Sequence, residues 1–124
     1  KISFPIWVKK NLELKKEISV VVNQYTSPSY VPNISKMIIE IMERKITGII
    51  HLAGATKISR YDFAVQISKI INVNKQFLKL TKMDQMDWKA QRPADSSLSV
   101  SKANKILKNK PEKIEDSLKL LFNQ

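Results

Sequence analysis

The chain has 124 residues, 43% hydrophobic and 27% charged, which is enough apolar material for the core of a single domain. With no cysteine, one histidine (His51) and two glycines (Gly48 and Gly54), it excludes disulfides, zinc–thiolate sites, cysteine nucleophiles, a three-glycine dinucleotide loop and a Walker phosphate loop. The net charge of +11 draws polyanions, yet the bases are scattered lysines with Arg44, Arg60 and Arg92 as the only arginines, so a nucleic-acid-binding module is disfavoured.

No apolar run approaches the ~18 residues of a membrane span, and no signal-like segment opens the chain. The expectation is a cytoplasmic protein with no membrane partner. The start at Lys1 suggests a processed or excised piece.

Phe4, Trp7, Val8 and Leu12 recur at helical spacing and predict a helix over 4–16, with Trp7 in its core stripe. Ile18 to Val22 is a β-branched run, predicted as a strand buried on both faces. The turn-rich stretch 23–30, closed to helix by Pro28 and Pro32, leads to a helix on Ile34, Ile38, Ile41 and Met42 capped by Asn33. Thr47 to Ala53 reads as a second buried strand. Ser59-x-x-Asp62 opens a helix on Phe63, Ile67, Ile70 and Ile71 as a capping-box variant. Phe77 to Thr81 alternates as a half-exposed strand, and 83–99 is a long loop. Ser101 caps a short helix, and Pro111 begins a last one on Ile114, Leu118, Leu121 and Phe122.

Strands alternating with helices predict an α/β protein with parallel neighbours. About three strands and five helices make an incomplete sheet, with cover expected from another chain segment, another subunit or a homo-oligomer.

Three segments could carry chemistry. The stretch Asn23 to Tyr30 follows a strand, where ligands of open α/β sheets sit; Gln24, Tyr25, Ser27 and Tyr30 suit a sugar or a nucleobase, or else they stiffen a connection. In Gln91-Arg92-Pro93-Ala94-Asp95-Ser96-Ser97, the Arg92 fork suits a diphosphate, or it pairs with Asp95 at the surface. His51 reads as a core group, not a base; Lys57 and Ser59 are better placed to face a ligand. Trp88, in the long loop, either stacks on a ligand or covers an apolar patch. No nucleophile–base order, acidic pair or metal-spaced cluster stands out, so neither a catalytic nor a metal-ligating residue is assigned.

Four segments in order resemble one family. VVVNQYTSPSYVPNISKMI is similar to the V-x-D-Q-x-G-[SA]-P-T-[YG]-x-x-D-[LI]-A stretch of dTDP-4-dehydrorhamnose reductases, which are extended short-chain dehydrogenases. TGIIHLAGATKISRYDFAVQI resembles their G-[IL]-Y-H-L-x-G-x-x-x-x-[ST]-W-Y-[ED]-F-A segment, and QRPADSSLSVSKANKIL their [AR]-x-R-P-x-x-S-x-L-x-x-x-K segment. The opening SFPIWVKKNLELKKE resembles the helix beginning N-F-V. Ser3, Asn23, Thr26, Ser29 and Asn33 depart from the pattern.

The resemblance covers residues from about Phe4 to Phe122 and implies the C-terminal, substrate-binding portion of a Rossmann-like enzyme, occupying 1–124. The N-terminal half would hold NADPH on a glycine-rich loop and a catalytic Tyr-x-x-x-Lys pair. Neither occurs here, since Tyr25, Tyr30 and Tyr61 are followed four places on by Ser29, Ile34 and Val65.

By resemblance, the whole enzyme reduces dTDP-4-dehydro-rhamnose to dTDP-rhamnose. This chain binds the dTDP-sugar through Arg92, Gln24, Tyr25, Ser27 and Ser96, binds no cofactor itself and is inactive alone. The alternative from another class is a non-catalytic regulatory or interaction subunit, as the β regulatory subunit of methionine adenosyltransferase is within the same superfamily.

Overall fold

In the computed structural model, which describes residues 1–123, the chain forms five α-helices and four short β-strands. The strands make two two-stranded sheets, β1 (Ile18–Val21) with β4 (Leu78–Thr81) and β2 (Tyr25–Thr26) with β3 (Ile58–Ser59). The α/β class, the five helices and the small, incomplete sheet agree with the sequence reading. The chain divides into two compact units, Lys1–Tyr25 with Ile58–Asp95, and Thr26–Lys57 with Ser96 onward.

In the first unit, α1 (Phe4–Glu13) carries Pro5 in its first turn, where a missing N–H costs nothing, and buries Val8 and Leu12. β1 and β4 pair in parallel, Ile18 opposite Leu78 and Val21 opposite Thr81. In β1, Ile18, Val20 and Val21 are buried whereas Ser19 is exposed, so the face that Ser19 shares with Val21 is only partly covered, which corrects the expectation of full burial on both sides. The helix α3 (Arg60–Ile70) packs against α1, β1 and β4 through Phe63, Ala64 and Ile67. It begins as predicted: the Ser59 hydroxyl accepts the Asp62 N–H at 3.0 Å and donates to the Asp62 carboxylate at 2.9 Å. The predicted long loop contains a 3-10 turn at Met83–Gln85 and is otherwise irregular.

In the second unit, α2 (Val31–Glu43) starts two residues before the predicted cap. Asn33 lies inside the helix and instead ties a distant segment, donating to the Lys110 carbonyl (2.9 Å) and accepting the Glu112 N–H (3.1 Å). The buried face of α2 runs through Met37 with Ile34 and Ile41 beside it; Ile38 and Met42 are exposed. The short helix α4 (Ser101–Ile106) brings Ala103, followed by Leu107, onto Met37. Its cap position is Val100, so Ser101 is the first helical residue and not the cap. The last helix, α5 (Ile114–Phe122), begins three residues after Pro111.

Residues 47–53 are not a strand. Ile50 and Leu52 pack on the Met37 cluster while Ile49 and His51 are exposed, so the segment alternates like a strand without a partner to complete its ladder. His51 is therefore no core group.

Candidate functional site

A hollow of about 540 Å³ lies within the first unit, lined from α1 by Phe4 and Trp7, from β1 by Ser19 and Val21, and beyond these by Gln24, Arg60, Met86, Trp88 and Arg92. Three backbone and side-chain ties bring these separate segments together. The Tyr25 N–H donates to the Ala94 carbonyl at 2.7 Å, and Tyr25 forms an isolated parallel bridge with Asp95, which draws the Arg92 loop beside Gln24. The Gln24 carbonyl accepts the Arg60 N–H at 3.0 Å. The Asn23 side chain accepts the Met83 N–H at 2.9 Å and anchors the turn that precedes Met86 and Trp88. Each tie satisfies a backbone group and holds two segments of the lining side by side.

The two arginines of the hollow rest on aromatic faces. The Arg92 guanidinium lies 4.5 Å from the Trp88 ring centroid and that of Arg60 lies 4.9 Å from the Phe4 ring centroid. Phe4 is in turn braced by Phe63 (5.3 Å) and Trp7 (6.1 Å). Burial, and secondarily repulsion from the Arg92 charge, lowers the Arg60 pKa below its ordinary value. Among the described lining residues there are three basic side chains, Lys1, Arg60 and Arg92, and no carboxylate. Such a lining is complementary to an anion carrying a flat or apolar group.

Of the residues predicted for the site, Gln24 and Arg92 line this hollow together. Tyr25 is next to it in sequence and 39% exposed, with its backbone committed to Ala94 and Asp95. Ser27 and Ser96 belong to the second unit and are not among the lining residues. There the Ser27 hydroxyl accepts the Leu98 N–H at 3.2 Å. Trp7, expected in the core, is 38% exposed and lines the hollow. Sequence reasoning missed Phe4, Ser19, Arg60 and Met86; the rarity of arginine in this chain, and its place where the quoted segment has tryptophan, were signals that could have singled out Arg60.

The glycines do not fit a dinucleotide cradle. A side-chain carbon at Gly54 would run into the Pro28 carbonyl oxygen, so that glycine serves a close backbone approach; Gly48 has φ +94° and faces the Lys102 ammonium. Among the described residues there is no cluster that could hold a metal ion and no helix long and apolar enough to cross a membrane.

The fold is shared with part of the chain of solved dTDP-4-dehydrorhamnose reductases. Residues 2–124 match the RmlD substrate binding domain, and the chain belongs to that family. A probable low-salt glycan biosynthesis reductase, Agl14, from Haloferax volcanii is 26% identical over 97% of this chain and 40% of its own length. The crystal structure of dTDP-4-dehydrorhamnose reductase from Bacillus anthracis in complex with NADP superposes with a TM-score of 0.88 at 22% identity, over 99% of this chain and 43% of that one. That of a hypothetical dTDP-4-dehydrorhamnose reductase from Sulfolobus tokodaii gives 0.80 at 34% identity, over 94% and 42%. The chain thus spans about 40% of the length of the curated relative it matches.

Proposed function

We propose that this chain is the sugar-nucleotide-binding portion of an NADPH-dependent reductase that forms dTDP-rhamnose from dTDP-4-dehydro-rhamnose. The observation that carries the reading is the meeting of Gln24 and Arg92 in one hollow without a carboxylate among its described lining residues, in a chain of the RmlD substrate binding domain family.

In this reading the planar Arg92 fork, steadied on Trp88, takes the diphosphate, and the largely buried Gln24 amide donates and accepts at the sugar or base. Trp7 offers an aromatic face to the ring. The resemblance assigns Tyr25, Ser27 and Ser96 to the same ligand. The chain's own task is then to bind and orient. Its glycines do not fit the dinucleotide, and no hydride-transfer step is assigned to its residues.

Calorimetric titration with dTDP tests the reading. Weak binding is expected, falling about tenfold or more in Arg92→Ala through loss of charge-assisted hydrogen bonds. Equal affinities for the wild type and the variant would overturn the role of Arg92.

A further inference from the structure

We infer that Arg60 is a second anion-binding residue of the hollow, so that Arg60 and Arg92 together grip a ligand bearing two linked phosphoryl groups. The inference rests on the reading of this hollow as a sugar-nucleotide site and adds to it a residue and a preference, for diphosphate over monophosphate.

Four observations carry it. Arg60 and Arg92 line the same hollow, and Arg60 is half-buried there. Each guanidinium lies over an aromatic ring that also lines the hollow, Phe4 or Trp88, so neither side chain depends on a ligand for its position. Both charges belong to a lining without a carboxylate among its described residues, and the Arg92 charge acts on Arg60, adding to the effect of burial in lowering its pKa. Finally, Arg60 stands in ISRYDFA where the segment pattern quoted above has tryptophan, so this chain places a cation where that pattern has an uncharged ring.

Two like charges in one half-enclosed space raise each other's energy, and an anion between them removes that cost. A diphosphate presents a separate oxygen set to each fork, whereas a single phosphoryl group shares its oxygens between two planar, rigid donors. Lysine at 60 would keep the charge but not the fork.

The test measures binding of dTDP, TMP, thymidine and inorganic pyrophosphate to the wild type and to Arg60→Gln, Arg60→Lys and Arg92→Gln, with folding of each variant checked by thermal melting. In Arg60→Gln, dTDP and pyrophosphate are expected to weaken about tenfold or more, TMP less, and thymidine within twofold. Arg60→Lys should recover part of the loss.

Dependence of dTDP binding on Arg92 but not on Arg60 overturns the inference and leaves the sugar-nucleotide reading standing. Equal weakening of thymidine and dTDP in Arg60→Gln assigns Arg60 a structural role and overturns the inference. Pyrophosphate binding that needs both arginines, without dTDP binding, supports the paired site and overturns the nucleotide reading. Failure of the wild type to bind either overturns both.

Discussion

Glu40 sits in the second unit with 6% of its surface exposed, a place where a carboxylate must be paired to remain charged. It accepts the Asn109 and Lys108 N–H groups at 2.7 and 2.8 Å, the Asn109 side-chain amide at 2.8 Å, and the Arg44 guanidinium. Led by the Asn109 N–H, these donors lower its pKa from 4.5 to about 2 against the opposing effect of burial. A carboxyl with a depressed folded pKa adds stability that is complete above its unfolded value and is lost as pH falls through the folded one. The contribution of Glu40 should therefore drain away between about 4.5 and 2. Glu40→Gln should lower the melting temperature at neutral pH and flatten the acid limb in that window. Urea unfolding at stepped pH checks this; an unchanged limb would contradict the assignment.

A second residue-scale prediction concerns Gly54, whose added side-chain carbon would collide with the Pro28 carbonyl. Because that obstacle is backbone and cannot rotate away, Gly54→Ala should cost about 1–3 kcal/mol in a thermal or denaturant melt.

At the scale of elements, three helices close alike. After α1, α2 and α3, the residues Lys15, Lys45 and Asn72 adopt φ of 54°, 52° and 56°. The following N–H reaches back five residues in each case, Lys16 to Asn11, Ile46 to Ile41 and Val73 to Ser68, at 2.9–3.0 Å. Two of these left-handed positions hold lysine, so Lys15→Gly and Lys45→Gly should each stabilise the protein by about 1 kcal/mol. Conversely, Ser59→Ala removes the acceptor for the Asp62 N–H and should cost about 1 kcal/mol. Chemical denaturation measures all three changes.

The elements also show what could be read beforehand. Ser59-x-x-Asp62 was legible because a cap is a local bond between neighbours in sequence. Residues 47–53 were not, because an apolar run records burial but not the partner: Ile50 and Leu52 found a helix cluster to cover them, and β1 found its neighbour in β4. Asn33 misled for a similar reason. A capping residue type near a helix start was recruited by Lys110 and Glu112, nearly eighty positions away in the chain.

At the scale of the molecule, the hollow combines residues from α1, β1, the Gln24 turn, Arg60 and the 86–92 loop, all within the first unit. Its polar pair, Gln24 and Arg92, could be named from residue chemistry and family resemblance. Arg60, Trp7 and Phe4 could not, since only tertiary packing decides which side of a helix start or an apolar stripe faces a cavity.

The same scale governs surface behaviour. With β1 and β4 alone in their sheet and Leu80 65% exposed, the protein should self-associate or bind a hydrophobic dye. Light scattering showing a monodisperse monomer, together with no dye fluorescence, would contradict this.

The most direct measurement is a titration of dTDP into isotope-labelled protein, followed by NMR. Saturable shifts concentrated at the Gln24 amide, the Arg92 guanidinium and the Trp88 indole are the predicted result. Saturable shifts confined to other surfaces, or spectra unchanged at millimolar nucleotide, would contradict the claim that this hollow holds a sugar nucleotide.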